Sequence, residues 1–146
     1  EQKPKQRAVI VYDSMWGSTG IMASAIASGL EDEGVPVRII DIQKNHHSDV
    51  LTELADCGAV IVGSATHNAD VLTYMKGLRP LNRVGAAFGS YGWSGESPKI
   101  IQEWLASMNM DMPADPVKCL FVPKHEGLSQ CVALGKTVAE ALKAKC

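Results

Sequence analysis

A chain of 146 residues with 46% hydrophobic and 21% charged side chains carries enough apolar material for one core of ordinary domain size. A net charge of −2 offers no basic face of the kind that nucleic acid or an anionic membrane requires. The apolar runs are strand-length, too short to span a bilayer, and the N-terminus lacks the charged-then-apolar layout of a signal peptide.

Residues 1–7 are polar and read as a linker or boundary segment, leaving residues 8–146 as one domain. Five short apolar runs follow: Ala8–Tyr12, Val35–Ile42, Ala59–Val62, Val84–Phe88 and Val117–Val122. Most are continuous rather than alternating, as in strands buried on both faces of a parallel sheet. Helical patterns separate them. Met22, Ala25, Ile26, Gly29 and Leu30 form the first stripe, which Gly34 should end. Ser48 and Asp49 start a short second helix, Asp70 caps a third that stops at Gly77, and Pro98 suits the first turn of a fourth bearing Ile101, Trp104, Leu105 and Met108. Leu128, Cys131, Leu134, Val138 and Leu142 mark the last. Such alternation predicts an α/β fold: a doubly wound parallel sheet of five strands in the order 2-1-3-4-5, with helices on both faces.

In such a sheet ligands bind beyond the carboxyl ends of the strands where the order reverses, between strands one and three. Three loops should meet on that rim. The first, Ser14-Met15-Trp16-Gly17-Ser18-Thr19, joins strand one to a helix beginning near Thr19. Its backbone N–H groups and three hydroxyls converge on a helix N-terminus with no Lys or Arg, an arrangement that holds an anion by neutral donors and the helix dipole. A phosphate is the natural candidate, although the same hydroxyls could simply cap a helix. The second loop is Ser64-Ala65-Thr66-His67-Asn68, and the third Ser90-Tyr91-Gly92-Trp93-Ser94-Gly95. Glycine-flanked Tyr91 and Trp93 lie on a turn, where a flat heteroaromatic ring could rest against them. A phosphate site beside a ring site describes a mononucleotide. Neither the full G-x-G-x-x-G spacing nor a G-x-x-x-x-G-K-[ST] loop occurs.

The first loop resembles the flavodoxin pattern Ser/Thr-x-x-Gly-x-Thr at Ser14, Gly17 and Thr19. The segments Tyr12–Thr19, Gly77–Pro80 and Gly85–Gly95 further resemble the flavodoxin-like domain of the flavodiiron proteins, the A-type flavoproteins. That resemblance implies non-covalently bound FMN, with Ser14, Met15, Trp16, Gly17, Ser18 and Thr19 around the phosphate. Ser64, Ala65, Thr66, His67, Asn68, Ser90, Tyr91, Gly92, Trp93, Ser94 and Gly95 would then lie around the ribityl chain and ring. It also implies a rubredoxin or a flavin/rubredoxin reductase as electron donor, and a fused di-iron domain that reduces O2 or NO. The ligands of such a centre are not expected in this chain, whose four histidines form no H-x-E-x-D-H pattern. Alone it would carry electrons as part of an oxidoreductase. The second loop departs from the family: Ala65 replaces a proline, His67 stands where an Asn is usual, and only Ala69, Asp70 and Val71 separate Asn68 from Leu72. Flavin exposure, potential and partner choice are the properties this departure bears on.

Rival readings of the same fold are a free-standing flavodoxin, an NAD(P)H-dependent flavin or quinone reductase, and a receiver-like module. The first is usually more acidic, the second needs a basic cluster near the rim, and the third an acidic cluster at the strand ends. His67 reads either as a flavin-edge hydrogen-bond partner or as a solvated loop residue; His46 and His47 read as surface residues. The four cysteines, Cys57, Cys119, Cys131 and Cys146, show no C-x-x-C pair, and the first three read as buried thiols in a reducing cytoplasm.

Overall fold

A computed structural model of the chain describes residues 7–13, 18–41, 58–64, 84–91, 103, 113, 117–120 and 125–145. The elements are β1 (Ala8–Asp13), α1 (Ser18–Asp32), β2 (Val37–Asp41), β3 (Ala59–Ser64), β4 (Val84–Tyr91), β5 (Val117–Leu120) and a long closing helix, α2 (His125–Lys145). All strand pairings are parallel, and the order across the sheet is β2-β1-β3-β4-β5, as the alternation of apolar runs predicts. The second, third and fourth predicted helices fall outside the described residues, apart from helical Glu103.

The continuous apolar strands follow from burial on both faces. Ala8 and Ile10 of β1, Ala59 and Ile61 of β3, and Val84, Ala86 and Phe88 of β4 face a layer made by α1 and α2. Val9, Val11, Val60, Val62 and Ala87 point the other way and are equally inaccessible to solvent. Among the described side chains of the sheet, those of the edge strand β2 differ. Arg38 and Ile39 are exposed there, and a short edge bearing a charge discourages pairing with another sheet.

α1 ends as predicted. Gly34 has φ +78°, its N–H donates to the Glu31 carbonyl at 2.9 Å, and the Val35 N–H reaches back to Leu30 at 3.0 Å. This 6→1, 5→2 pair is a Schellman cap, and buried Val35 packs in the same core as Leu30. Here the expected start of β2 is corrected. Val35 is occupied by the cap and Pro36 has no N–H to give, so the strand begins at Val37. The Pro36 carbonyl still accepts from Ala8 N–H at 2.9 Å. β3 and β4 are longer than expected, running on to Ser64 and Tyr91.

The two helices meet through glycine. A methyl on Gly29 would overlap the Val132 carbonyl oxygen and lie 3.2 Å from the Lys136 amide nitrogen; one on Gly135 would overlap the Ile26 carbonyl oxygen. The backbones therefore interlock reciprocally, with Cys131 buried in the same layer. That explains why the buried arc of α1 includes Ala23 and Ala27 beyond the predicted stripe: one side lies on the sheet and another on α2. Lys143 Nζ reaches Glu33 Oε2 at 3.5 Å, but both side chains are about one-third exposed (38% and 32%), and such pairs contribute at most ~1 kcal/mol.

Gly29→Ala and Gly135→Ala should each lower unfolding free energy in urea by ~1–3 kcal/mol, because the overlapped atoms are backbone and cannot rotate aside. Alanine's helix preference of ~1 kcal/mol only partly offsets this. The double variant should lose less than the sum, since one helix displacement relieves both overlaps.

Candidate functional site

The carboxyl ends of β1, β3 and β4 form one rim. β1 pairs with β3 through to its end, with Asp13 opposite Ser64. β4 pairs with β3 as far as Gly63 opposite Phe88, then continues alone on that side through Gly89, Ser90 and Tyr91, supported by β5 at Cys119 and Leu120. β1 is also where the order reverses, since β2 lies on one side and β3 on the other. A crevice opens at that point in a doubly wound sheet.

α1 starts five positions after β1 ends, so Ser18 and Thr19 occupy its first turn directly above the rim. No acidic residue stands in that turn, although Asp and Glu are the side chains a helix N-terminus favours. The acidic residues Glu31, Asp32 and Glu33 sit instead at the opposite end. A helix so composed sets no acid of its own first turn against the positive end, and the first-turn N–H groups are the donors that a helix start offers. This donor set fits a phosphate better than a cation, and it fits a group presented from the crevice between β1 and β3.

Of the residues singled out in the sequence, the structure brings together the backbones of Ser18, Thr19, Ser64, Ser90 and Tyr91 at this rim. Ser90 and Tyr91 are a correction in detail: they were expected in a loop and are the last two residues of β4. Ser64 likewise closes β3. Ser14, Met15, Trp16, Gly17, Ala65, Thr66, His67, Asn68, Gly92, Trp93, Ser94 and Gly95 lie outside the described residues.

One row below the rim runs Asp41, Tyr12, Gly63, Phe88 and Val117, neighbours in register across all five strands. On the face toward α1, the Phe88 ring lies over Gly63 so closely that a methyl there would overlap it. Tyr12, beside Gly63, reaches the first turn of α1. Its hydroxyl would be 3.4 Å and its ring edge 3.5 Å from a Cβ built on Gly20. In the sequence Tyr12 reads as the end of a strand and the first residue of the Tyr12–Thr19 motif, with no role of its own at the site. Its place next to the strand end, one loop before a glycine in the first helical turn, is the signal that could have found it. Burial pushes the Tyr12 phenol above its ordinary 10.0, and the Asp41 carboxylate alongside pushes it further.

These features define a mononucleotide-binding doubly wound domain. The Flavodoxin family profile matches residues 10–135, and the chain belongs to that family. FMN is the cofactor of flavodoxin domains and of their flavodiiron relatives. The chain is 51% identical to the rubredoxin-oxygen oxidoreductase of Megalodesulfovibrio gigas, over 99% of its own length and 38% of the relative's. The solved rubredoxin oxygen:oxidoreductase of Desulfovibrio gigas superposes with a TM-score of 0.94 at the same identity and coverage. A flavodoxin from the domain Archaea is matched over 99% of that chain and 94% of this one, at 35% identity and a TM-score of 0.83. The chain thus spans little more than a third of the oxidoreductase it resembles, and nearly all of the flavodoxin. Among the described residues, no helix is long and apolar enough to cross a membrane.

The raised Tyr12 pKa gives a pH signature. In the pH window above 10, the unfolded chain releases this proton while the folded chain keeps it, so stability present below that pH is lost as pH rises toward the folded value. The urea midpoint should therefore fall more steeply above pH 10 in the wild type than in Tyr12→Phe. Equal slopes in the two proteins would show that Tyr12 is not the group responsible.

Proposed function

We propose that this chain is an FMN-binding electron-transfer domain of a flavodiiron protein. It would receive electrons from a rubredoxin or a flavin/rubredoxin reductase and pass them to a di-iron domain that reduces O2 or NO, in a reducing cytoplasm. The observation that carries the reading is the 51% identity to a rubredoxin-oxygen oxidoreductase across 99% of the chain, on a fold whose switch point has an uncharged helix N-terminus. A 40% identical relative, from Moorella thermoacetica, is a nitric oxide reductase, which is why NO stands beside O2.

FMN, when bound, supplies one- and two-electron chemistry. The residues of this chain bind and orient it. Ser14, Gly17, Ser18 and Thr19 would hold the phosphate, with hydroxyls and backbone N–H groups as donors and the dipole of the 15-residue α1 behind them. Met15 and Trp16 complete that loop. Ser64, Ala65, Thr66, His67 and Asn68 would line one side of the ribityl chain and ring, and Ser90, Tyr91, Gly92, Trp93, Ser94 and Gly95 the other. The ends of β3 and β4, at Ser64 and Tyr91, set where these two loops begin, and the aromatic side chains would exclude water from a ring face.

One rival keeps specific support. The archaeal flavodoxin is matched over almost its whole length, so a free-standing carrier serving soluble partners is the second reading. The two differ in their donors: reduced rubredoxin should reduce the bound flavin rapidly in the first case and sluggishly in the second.

The purified chain, mixed with FMN and desalted, should retain absorption bands near ~370 and ~450 nm, shifted from those of free flavin. Loss of all flavin on desalting would overturn the cofactor role. Thr19→Val should weaken FMN binding by roughly 10- to 100-fold, the worth of a hydrogen bond to a charged group. Wild-type affinity in that variant, read by fluorescence titration, would remove Thr19 from the phosphate site.

A further inference from the structure

We infer that Tyr12 is a positioning residue for the phosphate end of the cofactor, acting through Gly20; this rests on the FMN reading above. The first turn of α1 has to stand at a fixed height and tilt over the end of β1 for its N–H groups to meet a phosphate. The glycine contacts with α2 fix the helix at Ile26 and Gly29, roughly two and three turns from that end. Among the described side chains, Tyr12 is one that lies against the first turn of α1. Its ring edge and hydroxyl occupy the space beside Gly20, at 3.4–3.7 Å from a Cβ position there.

The phenol is itself well braced. Tyr12 packs on the core shared by α1, α2 and the sheet, and it sits in register between Asp41 and Gly63. On the far side of Gly63 the Phe88 ring fills the slot that the glycine leaves. Two aromatic side chains therefore stand in the last sheet row beneath the rim, one at the helix turn and one over the neighbouring strand. A Cβ at position 20 would stand in ordinary van der Waals contact with the phenol, so the turn and the ring are already at contact distance. A side chain branched beyond Cβ would press on the ring from the helix side.

The consequence is selective. Removing the support should disturb the phosphate contacts and leave the ring contacts, which belong to the loops after β3 and β4. FMN and riboflavin differ only in the phosphate, so they separate the two effects. Tyr12→Leu should weaken FMN about tenfold, the scale of a helix-terminus interaction with an anion. Its riboflavin affinity should stay within about twofold on the same scale. Tyr12→Phe keeps the ring edge and should bind FMN like the wild type. Gly20→Val, which forces the same contact apart from the helix side, should repeat the selective loss and serves if Tyr12→Leu does not fold by circular dichroism. Equal loss of FMN and riboflavin, or no loss in either Tyr12→Leu or Gly20→Val, would overturn the role of Tyr12. Failure of the wild type to retain FMN would instead overturn the cofactor reading, and this inference with it.

Discussion

The site depends on the double pairing of β1. Because β1 takes β2 on one side and β3 on the other, both parallel, the chain must leave its carboxyl end once and return to opposite sides of it. Parallel neighbours need crossovers that run over a face of the sheet, so α1 has to start close to where β1 stops. A helix start, with its unpaired N–H groups, is thereby placed above the crevice where the strand order reverses. No special sequence is needed to create the positive end. What the sequence adds is restraint: Ser18, Thr19 and Gly20 stand where an acidic cap would otherwise be favourable.

Placement alone does not aim the helix, and the aim comes from close backbone contact. Gly29 and Gly135 let α1 and α2 interlock so that neither can slide along the other without steric overlap. The Schellman cap at Gly34 then turns the chain sharply into the edge strand beside β1, with Val35 closing the core behind it. At the other end of α1 the support comes from a side chain, Tyr12. A helix pinned by backbone at one end and braced by an aromatic ring at the other holds its N-terminus steadily relative to the strand ends.

Much of this was legible in the sequence. Continuous apolar runs pointed to parallel strands, their alternation with helical stretches to a doubly wound order, and Gly34 to the end of α1. The misread positions share a cause, which is pairing between segments far apart in the chain. Gly89-Ser90-Tyr91 has the composition of a turn, yet β5 supplies a ladder for Ser90 and Tyr91 that no local pattern reveals. Ser64 looked like loop until its register with Asp13 made it the last rung of β3. Val35 carried strand propensity and was taken by the helix cap. The glycines at 29, 63 and 135 could be counted, but which backbone or ring each one admits depends on how distant elements cross. The candidate site was legible as three loops of the right chemistry. The part built from contact, Tyr12 against Gly20, was not.

The same domain occurs as nearly the whole of one similar protein and as little more than a third of another. The sheet explains how that is possible. Val9, Val11, Val60 and Val62 are fully buried within this chain, as are Ala8, Ile10, Ala59 and Ile61 on the opposite face. Both sides of the central strands are therefore closed without a second domain, and the hydrophobic driving force for folding is met internally. A neighbouring domain then has nothing to contribute to the core of this one. Its influence is confined to the surface, and on the FMN reading proposed above the surface that would matter is the rim where β1, β3 and β4 end. On that reading, a fold self-sufficient in its core would meet different partners by changes in the rim loops, while the phosphate end proposed over α1 and the sheet beneath it would stay as it is.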